Sequence, residues 1–270
     1  MRLATIRVAN STHAVRVDDD FAVETDDPDV GALLRRPDWR AAAAAADGSR
    51  HAVDQLDYAP VVPWPEKIVC VGLNYRSHIT EMGRDLPEHP TLFAKFARAL
   101  VGAHDPVVLP RGSTEVDWEA ELGVVIGSPV RHADLAQARA AIAGYTVVND
   151  VTARDFQFRT VEWLQGKTFE HSTPVGPWLV TDAEPGTLSC TVDGEQMQSA
   201  DTADLHFDPA ALVAYISAIV TLVPGDLIAT GTPGGVGHAR KPPRYLRPGS
   251  ELVTWIDGIG QCRNVCVEEV

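Results

Sequence analysis

The eight residues Glu115-Val116-Asp117-Trp118-Glu119-Ala120-Glu121-Leu122 put a carboxylate at every second position after Val116. Side chains two apart in a strand share a face, so the alternation predicts Asp117, Glu119 and Glu121 projecting together while Trp118, Ala120 and Leu122 face a core. Carboxylates packed side by side repel, and a cation is expected among them. An all-oxygen donor set suits Mg²⁺, Mn²⁺ or Ca²⁺ rather than zinc. The same pattern also describes a solvated edge strand with its acidic side outward. Asp150 ends the apolar run Val147-Val148-Asn149. There it could enter the space above a sheet as a further carboxylate ligand, cap a helix beginning near Thr152, or do both; Thr152 itself reads as a helix start, with Asp155 three residues later as its capping-box partner.

Other residues could add chemistry. His78 and Glu81, three apart on a short helix expected to be capped by Ser77, share a face. A carboxylate beside an imidazole fixes its tautomer and suits it to general-base work; an exposed structural pair has the same spacing. Lys167, in Gln165-Gly166-Lys167-Thr168-Phe169, could hold a carboxylate or neutralise an enolate near a metal. A surface lysine would read alike. Thr230-Gly231-Thr232-Pro233-Gly234-Gly235-Val236-Gly237 lets backbone N–H groups approach an anion, but it lacks the Lys-Ser/Thr of a nucleotide loop. No Gly-x-Ser-x-Gly elbow occurs, which argues against a serine hydrolase.

The elements that would carry these residues are mostly strands. Residues 1–23 alternate in short runs, and a helical stretch is expected from Asp27-Pro28 to the alanines at 41–46. The stiff segment Ala59-Pro60-Val61-Val62-Pro63-Trp64-Pro65 divides a small amino-terminal α+β domain (1–59) from a catalytic domain (66–270), with 60–65 as the linker. Ile68–Val71, Thr91–Phe96, Val116–Ile126 and Tyr145–Val148 read as strands. Asp134 and Asp208-Pro209 open helices, and Asp193-Gly194 and Asp257-Gly258 read as hairpin turns. Many strands, irregular order and few helices predict a β-rich α+β fold, not a doubly wound sheet.

Composition sets the outer limits. The chain has 270 residues, 45% of them apolar, enough for a sizeable core, and a net charge of -14 that argues against nucleic acid and anionic membranes. It contains no run of about 18 apolar residues for a membrane span, and its amino terminus lacks the apolar core of a signal peptide. Four cysteines without a CxxC pair speak against zinc sites and a disulfide framework. A soluble protein of the reducing cytoplasm is expected.

Taken in order, five segments resemble the fumarylacetoacetate hydrolase superfamily, and in particular its acylpyruvate hydrolase members. They are Val71-Gly72-Leu73-Asn74-Tyr75 through His78 and Glu81, Asp117 to Leu122, Asn149 to Asp155, Gln165 to Phe169, and Ala229 to Gly237. The resemblance spans about residues 66–267. It implies a mixed β-roll with few short helices, a homodimer, and Glu119, Glu121 and Asp150 as ligands of Mg²⁺ or Mn²⁺, with Ca²⁺ as a stand-in in crystals. Asp117 is adjacent to that set but not a usual ligand. The resemblance also implies a water-activating His78–Glu81 dyad, Lys167 at the substrate, Gln157 and Thr232 as substrate contacts, and Gly83–Pro90 as a lid. Where many members carry Lys-Pro and then Ser, this chain has Lys95-Phe96-Ala97-Arg98, which keeps Lys95 but loses a hydroxyl. The implied activity is hydrolysis of a C–C bond in an acylpyruvate such as fumarylpyruvate, in aromatic-compound catabolism. The alternative is oxaloacetate decarboxylation, or isomerisation and decarboxylation of 2-hydroxyhepta-2,4-diene-1,7-dioate, since each passes through an enolate of a small oxo-acid.

Overall fold

The computed structural model describes residues 1–81, 83 and 85–270, with Glu81 described by its backbone only. Among the described residues, eleven strands form one curved sheet. Its middle is Ala120–Ile126, every residue buried, which pairs antiparallel with Ile142–Asn149 on one side and with Leu227–Ala229 on the other. Such a run, apolar but for Glu121, belongs in a sheet covered on both faces. Ile68–Gly72 joins parallel to Leu227–Ala229, and Thr91–Lys95 closes that edge. A second sheet of five strands, including the Asp193-Gly194 and Asp257-Gly258 hairpins, packs on the first. Trp118, Leu122 and Val147 from one side meet Leu188, Leu252 and Ile256 from the other. Helices Leu135–Ala141 and Pro209–Ile219 cover Val124 and Ile126, and both start as expected: Asp134 forms a full capping box, and Asp208 caps a helix with proline in its first turn. The β-rich α+β expectation holds.

The strands of residues 1–59 continue the large sheet, since Arg2–Val8 pairs with Thr173–Val180 through Arg2↔Val180 and Leu3↔Leu179. The division at 60–65 is therefore proposed as a boundary between chain segments, not between sheets. The single helix expected after Asp27 is instead two short ones, Val30–Leu34 and Trp39–Ala44, interrupted around Pro37.

Two other expectations are corrected where they matter most. Val116–Ile126 is not one strand. Val116–Asp117 leaves the large sheet and pairs with Thr152–Ala153, while Ala120–Ile126 pairs with Ile142–Asn149. Both chains thus cross from one sheet to another at the same level, around Trp118-Glu119 and Asp150-Val151. The gap is bridged by the Glu119 N–H donating to Asn149 Oδ1 (3.0 Å) and the Asp150 N–H donating to the Glu119 carbonyl (2.8 Å). Thr152 accordingly starts no helix. The helix is Arg154–Gln157, and Asp155 accepts from Ser113 Oγ instead of closing a capping box.

Candidate metal centre and cavity

The break in the paired strands turns Glu119 and Asp150 toward Glu121. One carboxylate oxygen from each of the three lies within 4.8 Å of the others. The residues are 7%, 1% and 0% exposed, so water does little to screen their mutual repulsion. Asp117 is not on this face: it lies before the break, and its carboxylate turns the other way. Its Oδ2 accepts from Arg154 Nε (2.8 Å) and the His238 N–H (2.9 Å), and its Oδ1 from the Gly237 and Trp118 N–H groups.

Cations surround the trio. Lys167 Nζ donates to Glu119 Oε2 (2.6 Å) and Asp150 Oδ2 (2.7 Å). Lys95 Nζ donates to Asp150 Oδ1 (2.6 Å) and to the Val151 carbonyl. Arg154 Nη1 lies 2.7 Å from Glu119 Oε1 and also donates to Gln157 Oε1. Asp150 therefore caps no helix, both of its oxygens being held by ammonium groups. Burial would raise its pKa, but Lys167 and Lys95 outweigh burial and hold it below the ordinary carboxylate range. The same pairing works on Lys167, where burial would favour the neutral amine but Asp150 and Glu119 keep the ammonium form.

Glu121 is the exception. Its Oε2 accepts the Gly231 N–H at 2.8 Å, and no cationic side chain pairs with it among the described residues. Burial first, then the charges of Asp150 and Glu119, push its carboxyl well above the usual range. Three cations thus face four buried carboxylates, counting Asp117, and the uncompensated charge sits on Glu121. An oxygen donor set short of one positive charge fits a hard divalent ion held by Glu119, Glu121 and Asp150. An anionic ligand would then offset the surplus positive charge.

The glycine-rich loop frames this centre. Gly231 has φ +103°, and a Cβ there would lie 2.9 Å from the Val71 carbonyl, so only glycine brings this N–H to Glu121 without strain. Gly237 is closer still, since a Cβ would meet the Arg244 carbonyl at 1.9 Å and Asp117 Oδ1 at 2.7 Å.

Above the carboxylates opens a cavity of about 270 Å³. Glu119, Glu121, Arg154 and Lys167 form its buried floor, and Val71, Phe93, Trp163 and Val236 give it apolar walls. Phe93 and Trp163 meet edge to face at 5.4 Å, and Lys167 Nζ lies 4.9 Å from the Phe93 ring centroid.

Of the residues singled out from sequence, His78, Gln157, Lys167 and Thr232 line this cavity, whereas Lys95 stands behind Asp150. The Thr232 hydroxyl is engaged, donating to the Ala120 carbonyl (2.9 Å) and accepting from Gln198 Nε2 (2.8 Å). The helix carrying His78 is Arg76–Glu81, so it begins before the expected cap; Ser77 bonds to Asp204 Oδ2 through both its N–H and its hydroxyl. The pairing of His78 with the Glu81 side chain falls outside the described residues. Of the Gly83–Pro90 segment expected as a lid, Arg84 lies outside them too, and the Pro87 carbonyl lies 3.0 Å from His206 Nε2. Arg154 and His238, both at the cavity, had no role from sequence. For Arg154 a signal existed, because a cation was expected among the acidic residues and Arg154 stands three before Gln157.

A buried carboxylate trio under a partly apolar cavity, in a β-rich fold, defines an enzyme scaffold built around a cation. Residues 67–267 match the model of the fumarylacetoacetate (FAA) hydrolase C-terminal domain, and the chain belongs to this family. Family members are metal-dependent enzymes acting on carbon–carbon bonds. The chain is 46% identical over 220 residues to human "Oxaloacetate tautomerase FAHD2B, mitochondrial", covering 79% of this chain and 70% of the relative. Two solved structures align over the full length of both chains. One is 5-carboxymethyl-2-hydroxymuconate delta-isomerase from Mycobacterium smegmatis, with 31% identity and a TM-score of 0.86. The other is maleylpyruvate hydrolase from Sphingobium sp. SYK-6 with manganese(II) and pyruvate, with 30% identity and a TM-score of 0.81. No helix of the described residues is long and apolar enough to cross a membrane.

Proposed function

We propose that this chain interconverts the keto and enol forms of a short 2-oxo diacid, with oxaloacetate as the first substrate to test. The observation that carries the reading is the floor of the cavity, where an ammonium group fixed between two carboxylates lies beside a third carboxylate that lacks a cation. The relatives named as oxaloacetate tautomerases support the choice of substrate. Glu119, Glu121 and Asp150 would hold Mg²⁺ or Mn²⁺, which supplies Lewis acidity toward the oxygens of the 2-oxo acid.

The chain's own groups have distinct tasks. Lys167, kept as an ammonium by Asp150 and Glu119, offers positive charge to an enolate oxygen and is not a base. Lys95 fixes Asp150, and Arg154 fixes Glu119 and the Gln157 side-chain carbonyl. The Gln157 amide nitrogen is thereby oriented as a substrate donor, while Thr232, its proton committed to Ala120, can serve only as an acceptor. His78, on the cavity wall, is the group that takes the proton, from C3 of the substrate or from water, with Glu81 as its expected partner. Phe93 and Trp163 keep bulk water from the enolate.

Hydrolysis of an acylpyruvate is the second reading, favoured by the same histidine and by the likeness to a maleylpyruvate hydrolase. Isomerisation or decarboxylation of a related dienoic oxo-acid uses the same enolate, as the likeness to a muconate isomerase suggests. Assaying wild type and His78→Ala with oxaloacetate and an acylpyruvate, in Mg²⁺ and in Mn²⁺, tests these readings. The first reading expects rapid enolisation of oxaloacetate and little acylpyruvate cleavage by wild type; inactivity toward oxaloacetate would overturn it. Acylpyruvate cleavage that survives His78→Ala would remove His78 as the water-activating base. A homodimer and a reducing compartment such as the cytoplasm belong to the same proposal; the four cysteines are buried and unbridged.

A further inference from the structure

His238 ends the glycine-rich loop at the exposed rim of the cavity, opposite in depth to the buried carboxylates. Its position is held at three points. The backbone N–H donates to Asp117 Oδ2 at 2.9 Å, the ring lies 5.2 Å from that of Phe158, and Nδ1 lies 3.1 Å from the Tyr245 hydroxyl. Phe158 is itself 58% exposed, so this ring pair forms the lip of the opening and not part of the core. Where Nδ1 accepts the Tyr245 O–H, the neutral ring carries its own N–H at Nε2, the ring nitrogen left to donate to a ligand.

The other nitrogen donors of the cavity have prior tasks. Arg154 and Lys167 are bound to Asp117, Glu119 and Asp150. His78 stands on the wall as the proton-transfer group, and the Gln157 amide lies at the floor, its residue buried. A substrate whose 2-oxo-acid end lay on the floor would direct its far end toward the rim of the same cavity, where a second carboxylate would meet a chain of net charge -14. That end needs a donor of its own.

We propose that His238 selects for this far carboxylate, its Nε2 donating to the second anionic group of a 2-oxo diacid at the rim. The proposal rests on the 2-oxo-acid reading of the floor. It makes His238 a specificity-determining residue, with Tyr245 and Phe158 as positioning residues that aim its ring. A charge-assisted hydrogen bond at the rim favours the diacid over the analogue that lacks the second carboxylate.

The test compares 2-oxoglutarate with 2-oxopentanoate, two acids of equal carbon number that differ in the charged end. Their affinities are measured by calorimetry in the presence of Mn²⁺ for wild type, His238→Ala, His238→Phe and His238→Gln. Wild type is expected to prefer 2-oxoglutarate. His238→Ala and His238→Phe, the latter keeping the stack on Phe158, should each bind it about tenfold more weakly while 2-oxopentanoate binding stays unchanged. His238→Gln, which keeps an N–H donor, should recover part of the preference. Equal weakening of both acids in folded variants, unchanged affinity for 2-oxoglutarate, or a wild type that binds neither acid would overturn the proposal. If the alanine variant does not fold, the phenylalanine variant decides. The readout is binding, so inactivity toward oxaloacetate would sink the functional reading without touching this result.

Discussion

Asp117 and Arg154 form a buried ion pair, Oδ2 to Nε 2.8 Å, that ties the glycine-rich loop to the carboxylate trio without either residue belonging to the trio. Asp117 gathers the Gly237 and His238 N–H groups, and Arg154 passes the connection on to Glu119 at 2.7 Å. Removing the Asp117 carboxylate would strand the Arg154 Nε and the Gly237 and His238 N–H donors in a buried site, at a cost of about 3 kcal/mol in all. Asp117→Ala should therefore lower unfolding free energy by about 3 kcal/mol in a denaturant titration and also weaken Mn²⁺ binding, because Arg154, without its Asp117 anchor, positions Glu119 less firmly. A variant as stable as wild type would show that the pair contributes nothing to the frame.

Glu121 is predicted to separate stability from metal binding. It is the trio's carboxylate without a cationic side chain among the described residues, and burial with two neighbouring carboxylates already penalises its charge. Glu121→Gln removes that charge at constant shape and leaves an acceptor for the Gly231 N–H. The metal-free variant should melt at a higher temperature than metal-free wild type. Its Mn²⁺ affinity should fall by about tenfold or more, since an amide carbonyl is a weaker ligand for a hard divalent ion than a carboxylate and lowers the charge of the donor set. Unchanged affinity by calorimetry would remove Glu121 from the ligand set.

These relationships mark how much could be seen in the sequence. Glu119, Glu121 and Asp150 come together as expected, yet the reason given by strand alternation was wrong, because the strand breaks between Asp117 and Ala120. Alternation assumes an unbroken ladder, and the break depends on Asn149 satisfying the Glu119 N–H from a neighbouring strand. Lys95 and Arg154, 24 residues before and 35 residues after Glu119 in the chain, reach the trio only through sheet order and strand crossing, which local patterns do not encode. Capping signals fared better at Asp134 and Asp208; they failed at Ser77, whose side chain bonds to the distant Asp204, and at Thr152, whose backbone pairs with Asp117 in a strand while its hydroxyl turns back to the Asp150 carbonyl.

The two buried lysines should behave differently from the carboxylates they hold. Each places a positive charge 2.6 Å from a proposed ligand oxygen, so each competes with a cation for the trio. Lys95→Met and Lys167→Met are expected to bind Mn²⁺ at least as tightly as wild type by calorimetry. Lys167→Met should nonetheless lose turnover by about a hundredfold, because the charge facing the enolate oxygen is gone. Lys95, which stands behind Asp150 and does not line the cavity, should cost less. Equal kinetic losses in the two variants would show that both lysines act only by supporting Asp150.

Thr232 tests whether a cavity residue touches substrate or supports the wall. Its hydroxyl spends its proton on the Ala120 carbonyl and takes one from Gln198 Nε2, whose side-chain oxygen in turn accepts the Ala120 N–H at 3.0 Å. The three groups lock the start of the Ala120–Ile126 strand beside Glu119. Thr232→Val keeps the shape but strands a buried donor and a buried acceptor, which costs about 1–3 kcal/mol in unfolding free energy. Thr232→Ser, retaining the hydroxyl, should restore most of it. If support of the wall is the whole role, KM for oxaloacetate in folded Thr232→Val stays within about twofold of wild type and the loss appears in stability, since the substrate made no bond to the hydroxyl. A KM raised tenfold with stability intact would instead assign the hydroxyl to the substrate, through the lone pair that Gln198 leaves open.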